Sequence, residues 1–253
     1  MKRLFIVHGM KRSGNHAVLN WLKAHDRFIH FNNVYRIAMV LDGEIELPEK
    51  PYPYRQWLKA RYKEKGMGAL FPFERLSPRS YIASFEDHRL DWRAFDSAPL
   101  PVVNIIIVRD IENLMASRIK KGMSRDSRAY PTEHNDDMQR VIDTWKMHAR
   151  ECLGETSYIP GRIVIPFNRW FSDQEFRREL AEQLGYTFTD EGLSRVSTKG
   201  DGSSFDQTQF DNQGQKMDVL DRVQRLSEQE RAVFDSVMDD PELQDLNRRL
   251  FAD

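Results

Sequence analysis

Short apolar runs alternate along much of the chain with stretches whose apolar residues recur every three or four positions. The runs occupy residues 4–7 (Leu-Phe-Ile-Val), 28–34, 80–85, 102–108 (Val-Val-Asn-Ile-Ile-Ile-Val) and 162–167. Runs of this length, rich in β-branched and aromatic residues, predict strands covered on both faces, as in a parallel sheet. The longer period puts Val18, Leu19 and Leu22 on one helical face. It also predicts helices over 111–121, closed by Gly122, and over 135–152, with Met138, Val141, Ile142, Trp145, Ala149, Cys152 and Leu153 on one stripe. Ser172-x-x-Glu175 reads as a capping box, with Phe171 and Phe176 as a hydrophobic staple, opening a helix over 173–184 that Gly185 ends. The tail reads as helical over 219–226, then from a box at Ser227-x-x-Glu230 to Met238, then over 242–251. A helix over 54–65, ended by Gly66 and Gly68, follows an aromatic stretch at 51–57 that suits either packing or the lining of an acceptor pocket. Strands alternating with helices predict an α/β fold of three layers: a central, mostly parallel sheet, helices on both faces and a helical carboxyl-terminal tail.

Composition narrows this picture. The 253 residues, 40% of them hydrophobic, suffice for one large core or two modest domains. No Pro/Gly/Ser-rich linker divides them, so one domain over 1–253 is expected. A net charge of −1 provides no overall basic field for nucleic acid or anionic membrane, although a local basic cluster spans 118–128. The single cysteine, Cys152, cannot form an internal disulfide, and its place on an apolar stripe reads as core rather than nucleophile. No signal peptide precedes the first strand and no apolar run nears 18 residues, so a soluble cytoplasmic protein without an integral membrane segment is the expectation. Nothing in the pattern indicates an oligomeric state.

Chemistry concentrates at the ends of the strands. After the first run comes a turn with Gly9 and Gly14, carrying Lys11 and Arg12, and then a helix start. Loop N–H groups, the positive helix end and two cations converge there, which suits a phosphate-like anion. The glycines have Walker A spacing, but Asn15-His16 stands where Lys-Ser/Thr is required, so an ordinary ATPase or GTPase is not expected. Glu86-Asp87-His88 follows another run, where its groups could do acid–base work or open a helix. Arg109 ends the most strand-like run and Ser117 lies eight residues on. A guanidinium and a hydroxyl suit phosphate, while a surface ion pair would equally explain Arg109-Asp110. Residues 123–132 read as a basic loop, and 195–216 as a polar lid or disordered segment centred on Lys199-Gly200-Asp201-Gly202-Ser203-Ser204-Phe205.

These pieces, in this order, resemble the P-loop sulfotransferases. Arg12-Ser13-Gly14-Asn15-His16 is similar to their 5′-phosphosulfate loop, usually Lys/Arg-Ser-Gly-Thr-Thr, and looks like a bacterial-type member of the family. The family uses 3′-phosphoadenosine-5′-phosphosulfate (PAPS) and needs no metal. The resemblance implies that Lys11, Arg12, Ser13, Gly14, Asn15 and His16 contact the phosphosulfate, and that Arg109 and Ser117 hold the 3′-phosphate. By position Phe167 looks like the adenine contact, the other reading being a core phenylalanine. Lys199-Gly200 resembles the family's terminal Arg-Lys-Gly loop, with Thr198 at the arginine position and Arg195 as a replacement. The implied reaction moves a sulfuryl group to a hydroxyl or amine of a small-molecule, carbohydrate or lipid acceptor and leaves 3′-phosphoadenosine-5′-phosphate (PAP). Arg12 would stabilise the leaving phosphate, and the base would be Glu86, His88 or, third, His16. The chain departs from the family at Asn15-His16, at Ala17 in place of a stacking tryptophan, and at Ile111 in place of proline. Two other readings stand beside this one: a non-catalytic nucleotide-binding protein of the same fold, and a small-molecule kinase with a degenerate P-loop.

Overall fold

The computed structural model describes residues 3–32, 80–91, 101–125, 137–196, 203–207 and 209–252. At its centre lies a five-stranded sheet of β1 (Leu4–Gly9), β2 (Phe28–Phe31), β3 (Ser80–Glu86), β4 (Val102–Val108) and β5 (Ile163–Pro166). The order is β2-β3-β1-β4-β5, and every pairing is parallel. β1 is buried along its whole length because β3 and β4 flank it and helices cover both faces, which is why its sequence shows no polar alternation. Side chains alternate between the two faces all the same. Phe5, Val7, Ile105 and Ile107 meet α1 (Asn15–His25), α4 (Phe167–Ser172) and α5 (Gln174–Gln183) through Leu19, Leu22, Trp170 and Leu180. On the opposite face Ile106 packs with Leu90, Ile159 and the partly buried Cys152 of α3 (Asp137–Cys152). A further cluster joins α2 (Ile111–Arg125) and α3 to α6 (Glu228–Met238) and α7 (Pro241–Phe251) through Leu114, Trp145, Phe234 and Leu246.

Several boundaries differ from the sequence reading, each for a local reason. α2 runs through Gly122 to Arg125, since a single helical glycine costs only about 1 kcal/mol relative to alanine. β5 stops at Pro166, and Phe167 opens the short helix α4 instead of ending the strand. Ser172 belongs to that helix, its hydroxyl bonded to Asn168 O at 3.0 Å, so Asp173 caps α5 by accepting from Phe176 N–H. The box at Ser227 and Glu230 forms as read. The helix expected over 219–226 is only a 3-10 turn, Arg222–Arg225. Asp87 and His88 follow β3 in a loop, so Glu86 and Asp87 do not open a helix. Readings that fall at 33–79, 126–136, Thr198, Lys199 and Gly200 lie outside the described residues.

Candidate functional site

The site lies where β1, β3 and β4 end, the position at which open parallel sheets bind ligands. Between β1 and α1 the chain folds back on itself, with Ser13 N–H donating to Met10 O at 3.1 Å. Ser13 Oγ accepts from Met10 N–H at 3.2 Å and lies 2.8 Å from Asn15 Oδ1. Asn15 Nδ2 in turn donates to Met10 O at 3.0 Å and to Glu86 Oε1 at 3.2 Å. Both glycines are needed for this packing. A Cβ on Gly9 would sit 2.1 Å from Asn15 Oδ1, and one on Gly14 (φ 86°) would sit 2.1 Å from the Phe167 ring. Arg12 also takes a positive φ, 72°, an uncommon conformation for a residue with a side chain. Among the described residues no side chain caps α1, so the first N–H groups of the helix are left to the loop and whatever it holds.

A buried ion pair supports the loop from below. Asp87 accepts from Lys11 N–H at 3.0 Å, lies 3.3 Å from Lys11 Nζ and pairs with Arg118, which is fully buried on α2. Arg118 Nε also donates to Lys11 O at 3.2 Å. Burial alone would push the Asp87 carboxyl up, but Arg118 and then Lys11 outweigh it and hold its pKa below the ordinary value. Arg118, the first member of the basic cluster read from the sequence, is thus an internal strut. Three buried histidines stand behind it. His8 Nδ1 and His88 Nε2 are 2.9 Å apart, and the His148 ring lies edge-on to His88, 5.7 Å between centroids, with Nε2 3.1 Å from His88 O. Burial drives the His8 pKa down to about 3 and lowers those of His88 and His148 as well, so all three are neutral near pH 7.

Opposite the loop stands a wall of arginines. Arg109, 4% exposed, donates from Nη1 to Arg12 O at 2.9 Å and to Ser117 Oγ at 3.5 Å, and from Nη2 to Val219 O. Its guanidinium lies 5.2 Å from the centre of the Phe167 ring. Trp145 Nε1 fixes its backbone by donating to Arg109 O at 2.9 Å. Burial lowers the Arg109 pKa to about 10, Asp110 opposing and Arg12 adding to the shift, and the group stays charged at neutral pH. Arg222 stands beside it and is also buried.

Loop and wall enclose a cavity of about 200 Å³. Of the residues singled out in the sequence, Lys11, Arg12, Gly14, Asn15 and His16 line it, as do Glu86, Arg109, Ser117 and Phe167. Arg195 does too. Ser13 and His88 do not: the first faces into the loop and the second lies among the histidines. His16 is held by Asn32, 3.0 Å from Nε2 to Oδ1. Trp170 and Phe171 add to the aromatic side, and Arg222 to the basic side. Sequence reasoning passed over Arg118, whose carboxylate partner lies 31 residues away, and Arg222, whose backbone N–H is anchored by a side chain 109 residues away. An arginine directly after Ser117 on the buried face of α2 was a legible hint of the first.

No protein-family model matches the sequence, and no curated protein does. Among solved structures, the sulfotransferase domain from the curacin biosynthetic pathway superposes with a TM-score of 0.52 at 12% identity, covering 99% of this chain and 98% of its own. The sulfotransferase domain of the Synechococcus PCC 7002 olefin synthase gives 0.49 at 14% identity, over 98% and 94% of the two chains. Mouse sulfotransferase SULT7A1 complexed with PAP gives 0.45 at 12%, over 98% and 89%. The match to the curacin domain shows that this chain has the fold of a sulfotransferase domain.

Proposed function

We propose that the chain, acting as one domain over 1–253, is a PAPS-dependent sulfotransferase. One observation carries this reading: an uncapped glycine loop and the Arg109–Ser117 pair open on the same cavity as the Glu86 carboxylate and an aromatic wall. Two anion-binding elements on one cavity with an aromatic wall fit a nucleotide phosphorylated at both its 5′ and 3′ ends. The Arg109 Nε, buried and without a hydrogen-bond partner among the described residues, points to the same fit. Bound there, PAPS would supply the sulfuryl group, and PAP would be the leaving product.

The protein's own part is positioning and charge. The start of α1 and Arg12 would meet the 5′-phosphate and stabilise the negative charge left on it as the S–O bond to PAP breaks and the bond to the acceptor oxygen or nitrogen forms. Phe167, Trp170 and Phe171 take the adenine. Glu86 accepts the proton of the acceptor hydroxyl or amine, held in place through Asn15 Nδ2. His16, also on the cavity, is the second choice for this role, and His88 the third because it does not reach the cavity. The acceptor is a small molecule, carbohydrate or lipid, and the reaction needs no metal. Asn15, bonded to Met10 O and Glu86, replaces the lysine a kinase of this topology would place on its phosphates.

Calorimetry with PAP, ATP and ATP-Mg²⁺ tests the reading. PAP should bind tightest, and added Mg²⁺ should change nothing. Tighter binding of ATP-Mg²⁺ would replace the sulfotransferase with a kinase. Tight PAP binding without turnover on any hydroxyl or amine acceptor would leave a nucleotide-binding protein. With an acceptor in hand, Glu86→Gln should lower kcat and leave PAP affinity within about threefold.

A further inference from the structure

Asn15 stands where the loop that this stretch resembles usually has threonine, and its side chain is committed to the protein itself. It is the first residue of α1 and only 5% exposed. Its Nδ2 serves two acceptors, Met10 O at 3.0 Å and Glu86 Oε1 at 3.2 Å, while Oδ1 lies 2.8 Å from the Ser13 hydroxyl. Turned the other way, the amide would set its oxygen against a carbonyl and a carboxylate at once, so the partners fix its orientation. Gly9 makes the room. It pairs in register with Glu86, its carbonyl accepts from Asp87 N–H at 3.1 Å, and a Cβ there would fall onto the Asn15 amide. One short side chain therefore ties the anion loop to a carboxylate 71 residues away, at the end of the neighbouring strand.

The charges make this tie consequential. Glu86 opens on the same cavity as Lys11 and Arg12. A carboxylate beside a loop suited to an anion is a conflict: left loose, it would turn to those cations and repel whatever the loop binds. Among the described residues the Asn15 amide donates the one hydrogen bond that the Glu86 carboxylate receives. The Lys11 ammonium is directed elsewhere, 3.3 Å from Asp87 Oδ2. Where the charge of Glu86 points is thus set by one N–H.

The geometry points to Asn15 as a positioning residue that holds the Glu86 carboxylate off the anion loop, so that a proton acceptor and a multiply charged ligand share one cavity. The inference rests on the functional reading above for the base role of Glu86 and for the phosphate on the loop. A threonine at position 15 has a single donor on a shorter side chain, so it could not serve Met10 O and Glu86 together. In this chain the amide takes on a task that a hydroxyl at the same place would leave undone.

Calorimetry on the full chain with PAP and with inorganic pyrophosphate tests it, across wild type, Asn15→Ala, Glu86→Gln and the double variant. Asn15→Ala should weaken PAP by about tenfold, the scale of one added repulsion between close charges near a protein surface. Glu86→Gln removes the charge and should stay within about threefold of wild type. The double variant should return to within about threefold as well, because the carboxylate that intrudes is gone. Asn15→Thr should follow the alanine pattern, and serves should the alanine variant not fold. A double variant as weak as Asn15→Ala would mean that Asn15 acts through loop shape alone and would overturn the inference. Wild-type PAP affinity in both Asn15→Ala and Asn15→Thr would overturn it too. Should the wild type bind pyrophosphate but not PAP, the functional reading falls, and the same four-way comparison on pyrophosphate still decides the role of Asn15. A wild type that binds neither overturns both.

Discussion

Beneath the loop, Arg118 meets the carboxylate of Asp87, which also takes the backbone and ammonium of Lys11. Across the cavity Arg109, nearly as buried, meets two carbonyl oxygens and a hydroxyl, none of them charged. The first arrangement cancels charge and holds shape. The second holds shape but keeps its charge, since neutral dipoles orient a guanidinium without neutralising it. A site that must grip an anion needs both: a loop whose geometry is set before the ligand arrives, and a wall whose field is left for the ligand to answer. Which side a cation belongs to follows from its partner and not from its burial.

Three measurements could break or sharpen this contrast. The largest effect should come from Arg118→Ala, which leaves Asp87 buried with only Lys11 as its cation. A loss of about 3–5 kcal/mol in urea unfolding is expected, the cost of breaking a buried pair from one side. A loss below about 1 kcal/mol would mean that the pair is not the strut described here. Next comes Arg12→Ala, which keeps the carbonyl that accepts from Arg109 and removes only the guanidinium. Turnover should fall about a hundredfold, as when one preorganised donor to a developing charge is removed, with little change in unfolding free energy. An equal fall in stability would put Arg12 on the structural side.

The third effect is one of pH. His8, His88 and His148 are neutral in the folded chain with lowered pKa values, whereas each takes a proton near pH 6.5 once unfolded. Their contribution is present in full above pH 6.5 and is lost as pH falls from there toward about 3, the folded value of His8. Stability should drop by about 1.4 kcal/mol per pH unit for each proton bound only by the unfolded chain. Unfolding curves between pH 7.5 and 5.5 check this, and a flat profile would show that the histidines are not the buried neutral group drawn here.

How much of this the sequence disclosed depended on range. The strand, loop and helix from Leu4 to His25 were legible because run, glycines and periodic face lie within one short stretch. Arg109 and Ser117 were legible because they share a strand end and the helix that follows it. Arg118 was not, because its burial depends on Asp87 from another strand end. Arg222 was not, because it fell in a stretch read as a helix over 219–226, and nothing local shows that Asn113 will anchor a 3-10 turn there. The misplaced cap at Ser172 has a different cause: serine and aspartate both cap well, and only the extent of α4 decides between them. The fold match, by contrast, concerns the sheet and helices, whose pattern is carried by many residues at once.

The Arg109–Val219 bond also orders events during synthesis. The sheet has all five strands once residue 166 is made, and β1 can pair only after β3 and β4 have followed it. The acceptor for Arg109 Nη2 comes more than fifty residues later, and Arg222 later still. The strands and the loop are thus encoded before the residues that complete the arginine wall. A chain that ends between residues 166 and 219 has all five strand sequences but lacks the Val219 carbonyl that orients Arg109 and the Arg222 side chain that lines the cavity.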